Sequence, residues 1–260
     1  MSFAVWLLEA MSEEQKAGSE TGEAIRKRPA LRAHIERLWD HNADTRSLFL
    51  RLPHGVRISF LPGQFISVVI PLPGEKRVRP YSIASDPETP ELLEICFNRV
   101  PGGSGAAWLF ERHAGDELEF TGPFGMFTLE RPPGDESVFL AAGTAIAPIR
   151  PMVRRALASP DAHRIALLYA APDSEHLLYH DELGRTAGES RGRLHFETFT
   201  TCAADPMGLL CDEARRRWVD GTGTGSRHFY ICGVGSQVIA LRSLLRGAGY
   251  ERGAVHYEKW

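Results

Sequence analysis

Midway along this chain the hydrophobic rhythm changes, and that change limits the folds open to it. From residue 31 to about 129, short apolar runs alternate with polar residues, as in Ser47-Leu48-Phe49-Leu50-Arg51-Leu52 and Gln64-Phe65-Ile66-Ser67-Val68-Val69-Ile70. Turn residues separate the runs: Pro53-His54-Gly55, Pro62-Gly63, Pro71-Leu72-Pro73-Gly74, Ala114-Gly115-Asp116 and Thr121-Gly122-Pro123. Many short strands at this spacing predict an antiparallel β-barrel, because closure removes the unpaired edges of an open sheet. One helix is predicted among them, over 105–113.

After Arg131-Pro132-Pro133-Gly134 the pattern becomes apolar strand, turn, helix. Strands are predicted over 137–142, 165–170, 194–199 and 229–232, and helices over 148–158, 175–183 and 237–246. This alternation predicts an α/β doubly wound parallel sheet, whose ligands sit beyond the carboxyl ends of the strands. Pro-Pro-Gly is the expected boundary, with the barrel over 30–132, the α/β domain over 133–260, and residues 1–29 read as a flexible N-terminal extension.

Composition removes several functions. Thirty Lys and Arg against 33 Asp and Glu leave a net charge of −3, so no global basic field holds nucleic acid. Cys96, Cys202, Cys211 and Cys232 are scattered without Cys-x-x-Cys, so no zinc ribbon or iron–sulfur site arises from local spacing. His176 and His180, four apart on the predicted helix, are read as a solvated face and not as metal ligands, and Asp181 and Glu182 as its surface charge. The apolar stretch 3–8 is too short to span a bilayer, and the chain is read as cytoplasmic with reduced thiols. Nothing in the pattern fixes an oligomeric state.

Three segments carry chemistry. In Arg79-Pro80-Tyr81-Ser82 the guanidinium suits a pyrophosphate, the ring offers a face to a conjugated system, and the hydroxyl can reach a ring nitrogen. Pro101-Gly102-Gly103-Ser104-Gly105 joins a predicted strand to a helix, so its backbone N–H groups can point at an anion. It also nearly matches the nucleophile elbow Gly-x-Ser-x-Gly, but an elbow needs a central parallel sheet and these flanks read as barrel. Ala142-Gly143-Thr144-Ala145-Ile146-Ala147-Pro148 follows a buried strand and opens a helix, where a dinucleotide pyrophosphate meets N–H groups. Gly233-Val234-Gly235-Ser236 lacks the third glycine of an ordinary dinucleotide fingerprint, and Gly221-Thr222-Gly223-Thr224-Gly225 reads as a linker.

In this order the segments resemble the ferredoxin–NADP reductase-like flavoprotein superfamily over residues 31–260. Arg79-Pro80-Tyr81-Ser82 is similar to its Arg-x-Tyr-Ser motif, and Gly122-Pro123-Phe124-Gly125-Met126-Phe127 to its Gly-Pro-x-Gly-x-Phe turn. Residues 143–148 resemble its Gly-Thr-Gly-Ile-Ala-Pro segment, Tyr179-x-x-Glu182-Leu183 its next helix, Cys232-Gly233 its Cys-Gly-Pro, and His256-Tyr257-Glu258-Lys259-Trp260 its acidic-then-aromatic end. The resemblance implies an FAD-dependent NAD(P)H oxidoreductase. Arg79 and Pro80 would lie at the FAD phosphate, with Gly102, Gly103 and Ser104 completing that site; Tyr81 would stack on the isoalloxazine, and the Ser82 hydroxyl would lie near flavin N5. Gly143, Thr144, Ala145 and Gly233 would take the nicotinamide dinucleotide. Ser82, Cys232 and Glu258 would be the catalytic set, the last two bordering the nicotinamide, and Trp260 would cover the flavin face.

Departures are visible too. Ala145 replaces the second glycine of Gly-Thr-Gly, where it would crowd the pyrophosphate or demand another backbone angle. Val234 replaces a proline, and Ala106 stands where Ser or Thr is usual, with Ser104 as the substitute. Thr200-Thr201-Cys202-Ala203-Ala204 lacks the basic residue expected of a 2′-phosphate site, which favours NADH; Arg215-Arg216-Arg217 is read as a solvated helix face. The acceptor is expected to be a separate small redox protein, such as ferredoxin, flavodoxin or an oxygenase component. The alternatives are a reductase of small acceptors (free flavin, ferric chelates or quinones) and a non-catalytic FAD-binding electron-transfer subunit.

Overall fold

The computed structural model describes residues 29–100, 102–129, 136–160, 163–202, 205–220 and 226–260. The expected 132–134 boundary, residues 1–28 of the extension and the Gly221–Gly225 linker lie outside them. Strands β1 (Leu31–Asp40), β2 (Thr45–Arg51), β3 (Phe65–Leu72), β4 (Glu75–Ser82), β5 (Leu92–Asn98) and β6 (Glu117–Phe124) form an antiparallel sheet in the order β4-β3-β6-β1-β2-β5. Ile83, just past β4, pairs with Ile95 of β5, so the outer strands meet and the sheet closes. The period-2 pattern explains the inside: Ile66, Val68 and Ile70 of β3 pack with Leu48, Leu50, Leu93 and Phe120. Full burial of each such side chain stabilises by roughly 1.5–3 kcal/mol.

Helix α1 (Ser104–Phe110) crosses from β5 to β6 and buries Leu109 against the barrel core. It stops three residues short of the predicted end because Asp116 accepts from the His113 N–H at 2.9 Å, folding residues 113–116 into a turn.

The second half contains β7 (Glu136–Ala142), α2 (Ile146–Leu157), β8 (Arg164–Ala171), α3 (His180–Glu189), β9 (Leu194–Thr200), α4 (Pro206–Ala214), β10 (Arg227–Gly233), α5 (Gln237–Gly247) and β11 (Val255–Lys259). All five strands run parallel in the order β11-β10-β7-β8-β9. Successive side chains of one strand enter opposite cores: Phe139 and Ala141 face the cluster holding α2, and Val138 and Leu140 face that of α4 and α5. The order reverses at β7, between β8 and β10, so ligand space is expected beyond the ends of β7 and β10.

Two segments differ from the sequence reading. The predicted helix 175–183 is a short 3-10 turn, Ser174–His176, followed by α3 from His180. Asp173 caps the turn through the His176 N–H at 3.1 Å, and Tyr179 (φ 55°) breaks the path, so His176 and His180 do not share a helix. Helix α4, which was not predicted, begins with the ordinary signal of an Asp205 N-cap followed by Pro206.

The halves share an apolar seam. Ala84, Cys96, Phe127 and Leu129 from the barrel side belong to the same buried cluster as Phe139, Ile146, Ile149 and Tyr230. Among the described residues no helix is long and apolar enough to cross a membrane.

Candidate functional site

A cleft of about 400 Å³ lies between the halves, and both contribute its walls. On the barrel side, alternation along β4 sends Arg77, Arg79 and Tyr81 to one face of the strand. Arg77 donates to Ser104 Oγ at 3.2 Å and pairs with Glu75 at 2.6 Å, while exposed Arg79 donates to the adjoining Val78 carbonyl at 3.0 Å. The Tyr81 ring meets Phe97 edge-on at 5.6 Å, and burial pushes its phenol up to about 12, so it stays neutral. Ser82 is buried at the end of the strand.

Gly105 lets the start of α1 lie against this strand. A Cβ there would stand 3.0 Å from Ile70 Cδ1 and 3.4 Å from Arg79 Cγ. No side chain caps α1, which leaves its first-turn N–H groups as donors beside the two arginines. The turn at 102–105 follows a strand of an antiparallel sheet, so the elbow alternative fails on topology.

The opposite wall begins where β7 ends. Gly143 takes φ 59°, a left-handed angle that glycine adopts freely, and the 3-10 turn Gly143–Ala145 leads into α2. Ala145 sits at φ −66°, ψ −5°, an ordinary right-handed conformation, and its side chain packs into the core. The expected need for another backbone angle is therefore not met: alanine costs nothing in this conformation.

Behind this turn the register of β10 places Cys232 between Ala141 and Glu258. Cys232 is fully buried, and burial, aided by the nearby Glu258 carboxyl, pushes its thiol far up. Glu258 Oε2 is enclosed and makes no hydrogen bond among the described residues, and burial pushes the carboxyl up to about 8. The Trp260 N–H donates to the Gly233 carbonyl at 3.0 Å, and its ring meets Phe65 of the barrel edge-on at 6.0 Å.

Residues Arg79 to Ser82, Gly102 to Ser104, Thr144, Ala145 and Trp260 thus line one cleft. Gly143, Cys232, Gly233 and Glu258 are not in the lining and stand behind Thr144 and Trp260. The sequence reading missed Arg77, Phe97, Asn98 and Val100 of the lining; the two-residue period from Arg79 could have found Arg77. Two surface assignments are also corrected. Glu182 is paired with Arg150 and Arg154 at 2.7 Å, not free surface charge, because α2 presents both arginines to it. Arg217, on a π-helical turn after α4, is mostly buried and joins Glu213 at 2.9 Å and Glu197 at 2.7 Å.

The family model described as Oxidoreductase FAD-binding domain matches residues 33–129, and the Oxidoreductase NAD-binding domain matches 139–240. The chain belongs to the ferredoxin–NADP reductase-like flavoproteins. It is an FAD-dependent NAD(P)H oxidoreductase. This reductase is 33% identical over 226 residues to ferredoxin–NADP reductase B of Sorangium cellulosum, covering 83% of this chain and 91% of that one. It is 27% identical to the glycine betaine monooxygenase reductase subunit of Pseudomonas aeruginosa, over 86% of its own length and 61% of that protein's. Among solved structures, the Amycolatopsis cytochrome P450 reductase GcoB superposes with a TM-score of 0.74 at 25% identity, covering 89% of this reductase and 69% of that chain.

The side chains fit FAD and a nicotinamide dinucleotide. Two cations and uncapped N–H groups suit phosphates, and a flat phenol suits an isoalloxazine.

Proposed function

We propose that this reductase takes hydride from NADH and delivers single electrons to a separate small redox protein such as a ferredoxin, flavodoxin or oxygenase component. The carrying observation is the cleft itself, in which the cationic, aromatic end of β4 faces the turn at the sheet's switch point. The names of the relatives support a protein acceptor, since they include a ferredoxin–NADP reductase and monooxygenase reductase components. Bound FAD supplies the chemistry of accepting a two-electron hydride and releasing it one electron at a time.

In this reading Arg79 holds FAD phosphate through a planar fork, with Arg77 beside it and the turn Gly102–Ser104 closing the grip through the N–H groups of Gly102 and Ser104, that of Gly103 being donated to the Val100 carbonyl at 2.9 Å. Tyr81 would hold the flavin ring through its flat face, and the Ser82 hydroxyl would supply a hydrogen bond to it. The turn Gly143–Ala145 binds the dinucleotide pyrophosphate at the start of α2, beside Gly233. Cys232 and Glu258 stand directly behind the nicotinamide site; below about pH 8 Glu258 keeps its proton and so places no negative charge there. Trp260 shields the flavin face until nicotinamide enters and excludes water there.

Preference for NADH is supported by the pairing of Arg216 and Arg217 with Glu213, and of Arg217 with Glu197, which occupies the charge a 2′-phosphate would seek. A division into 30–132 and 133–260 is supported by the two family matches on either side of it. Free thiols throughout support a reducing, cytoplasmic setting. Steady-state kcat/KM with each nucleotide tests the donor: at least tenfold higher for NADH is expected, and parity or a preference for NADPH would refute it.

A further inference from the structure

A polar cluster lies behind the cleft, at the seam between the halves. Glu94 of β5 is 2% exposed, yet both its oxygens are engaged. Oε1 accepts from Ser47 Oγ at 2.8 Å and Tyr179 Oη at 2.7 Å, and Oε2 accepts from Arg150 Nη1 at 2.6 Å. Arg150, one turn into α2, spends its other donors on Glu182 of α3, Nε at 2.8 Å and Nη2 at 2.7 Å. Its guanidinium also stands 4.4 Å over the Tyr179 ring. Arg150 Nη1 reaches the Ala84 carbonyl as well, at 3.0 Å.

Packed apolar residues would stabilise this seam as well as buried ions do, because desolvation offsets most of the Coulomb attraction. What ions and a planar fork add is direction. The Ala84 carbonyl lies two residues beyond Ser82, and the same segment is tied again where the Ala84 N–H donates to the Glu94 carbonyl at 2.8 Å and the Glu94 N–H to Ser85 Oγ at 3.1 Å. At its other end Arg150 belongs to the helix that starts directly after Gly143-Thr144-Ala145. One side chain therefore links the strand end carrying Tyr81 and Ser82 to the helix whose start forms the opposite wall.

We propose that Arg150, held by Glu94 and Glu182, is a positioning residue that sets the spacing between the Ser82 and Thr144 walls, and with it the distance over which hydride passes. The inference rests on the hydride-transfer reading above. Arg150 is absent from the cleft lining and acts through the groups it holds, Ala84 and Glu94 on the barrel side, and through α2. Since a displacement of about 1 Å at a reacting pair can cost on the order of a hundredfold in rate, a loosened link shows first in flavin reduction and only weakly in flavin binding.

The test uses the full chain with FAD, comparing Arg150→Met, Arg150→Lys and Tyr179→Phe with the wild type. Three quantities are read: hydrogen exchange at the Ala84, Glu94 and Ala147 amides without nucleotide, the limiting rate of anaerobic flavin reduction by NADH, and the reoxidation by ferricyanide of dithionite-reduced protein. Arg150→Met is expected to keep its flavin, exchange those amides at least ~tenfold faster and reduce at least ~tenfold more slowly, with unchanged ferricyanide rates; Arg150→Lys recovers part of the loss. If Arg150→Met does not accumulate as a flavoprotein, Tyr179→Phe decides, with a roughly two- to fivefold effect in the same two readouts. Unchanged exchange and reduction rates in the folded variants, beside a normally reduced wild type, would overturn the positioning role alone. A wild type reduced by neither nucleotide would overturn the hydride-transfer reading and this inference with it.

Discussion

The two walls of the cleft treat charge in opposite ways. Arg79 stands on the exposed face of β4 and Arg77 is partly exposed, both cations open to water, while behind the opposite wall Cys232 is fully buried and Glu258 Oε2 is enclosed without a hydrogen bond among the described residues. A hydrated cation keeps its charge at little cost until a phosphate displaces water. An enclosed acid or thiol is instead driven to its neutral form, as the upward shifts of Glu258 and Cys232 record. The barrel wall is thus suited to anchoring and the sheet wall to tuning a reaction. Variants should separate the two roles.

The largest effect is expected on the anchoring side. Arg79→Ala removes a charge-assisted contact worth about 1.5–3 kcal/mol, so FAD affinity should fall about 10- to 100-fold, and Arg77→Ala with Arg79→Ala should leave the protein colourless. Fluorescence titration of the apoprotein measures this; full flavin retention by the double variant would break the comparison. On the tuning side, Cys232→Ala should keep its flavin while anaerobic reduction by NADH slows ~tenfold, and a loss of FAD instead would mean that both walls anchor.

Glu258 sharpens the contrast through pH. Its folded value is raised to about 8 by burial, so across roughly pH 4.5 to 8 the folded chain holds a proton that the unfolded chain has lost. The unfolded state binds fewer protons in that window, and stability falls as pH rises through it. Glu258→Gln should remove this slope and leave the protein more stable at pH 9 by on the order of 2–5 kcal/mol, read from denaturant titrations at several pH values. Parallel stability profiles for the two proteins would show that the carboxyl is not buried uncharged.

The smallest effect concerns a solvated contact at the seam. His176 binds Asp173 at 2.7 Å and approaches Asp44 of the barrel side at 3.4 Å; the Asp173 hydrogen bond raises its pKa against a desolvation cost, with Asp44 adding to the rise. A raised histidine stabilises fully below its unfolded value, near pH 6.5, and loses that contribution as pH climbs through the folded value. With the ring partly exposed to solvent, the advantage over His176→Asn should be a few tenths of a kcal/mol at about pH 6 and smaller at about pH 8. Thermal melts at both pH values check it.

What could be read from sequence follows the range of the interactions involved. The strand alternation around Ile66, Val68 and Ile70, the glycine at Gly143 and the Arg79-to-Ser82 segment are local signals: the first fills the barrel core, Gly143 takes its positive φ at the end of β7, and Arg79 to Ser82 lie along the cleft. Helix α4 carries an equally local signal in its Asp205 N-cap and Pro206. The seam was not legible for a different reason. Glu94 and Arg150 are 56 residues apart, Arg150 and Glu182 are 32 apart, and on its own element each looks like ordinary surface charge. Only docking of α2 and α3 on the barrel buries them. Tyr179 likewise gives no warning of its left-handed backbone, since its hydroxyl is satisfied by Glu94 on the other half.

The most direct test of the central claim is the visible spectrum of the purified protein, before and after anaerobic addition of NADH and then, separately, NADPH. A yellow protein whose flavin band bleaches rapidly with NADH and slowly with NADPH is the expected result. A yellow protein that neither nucleotide bleaches, or a colourless one that takes up no added FAD, would contradict the account.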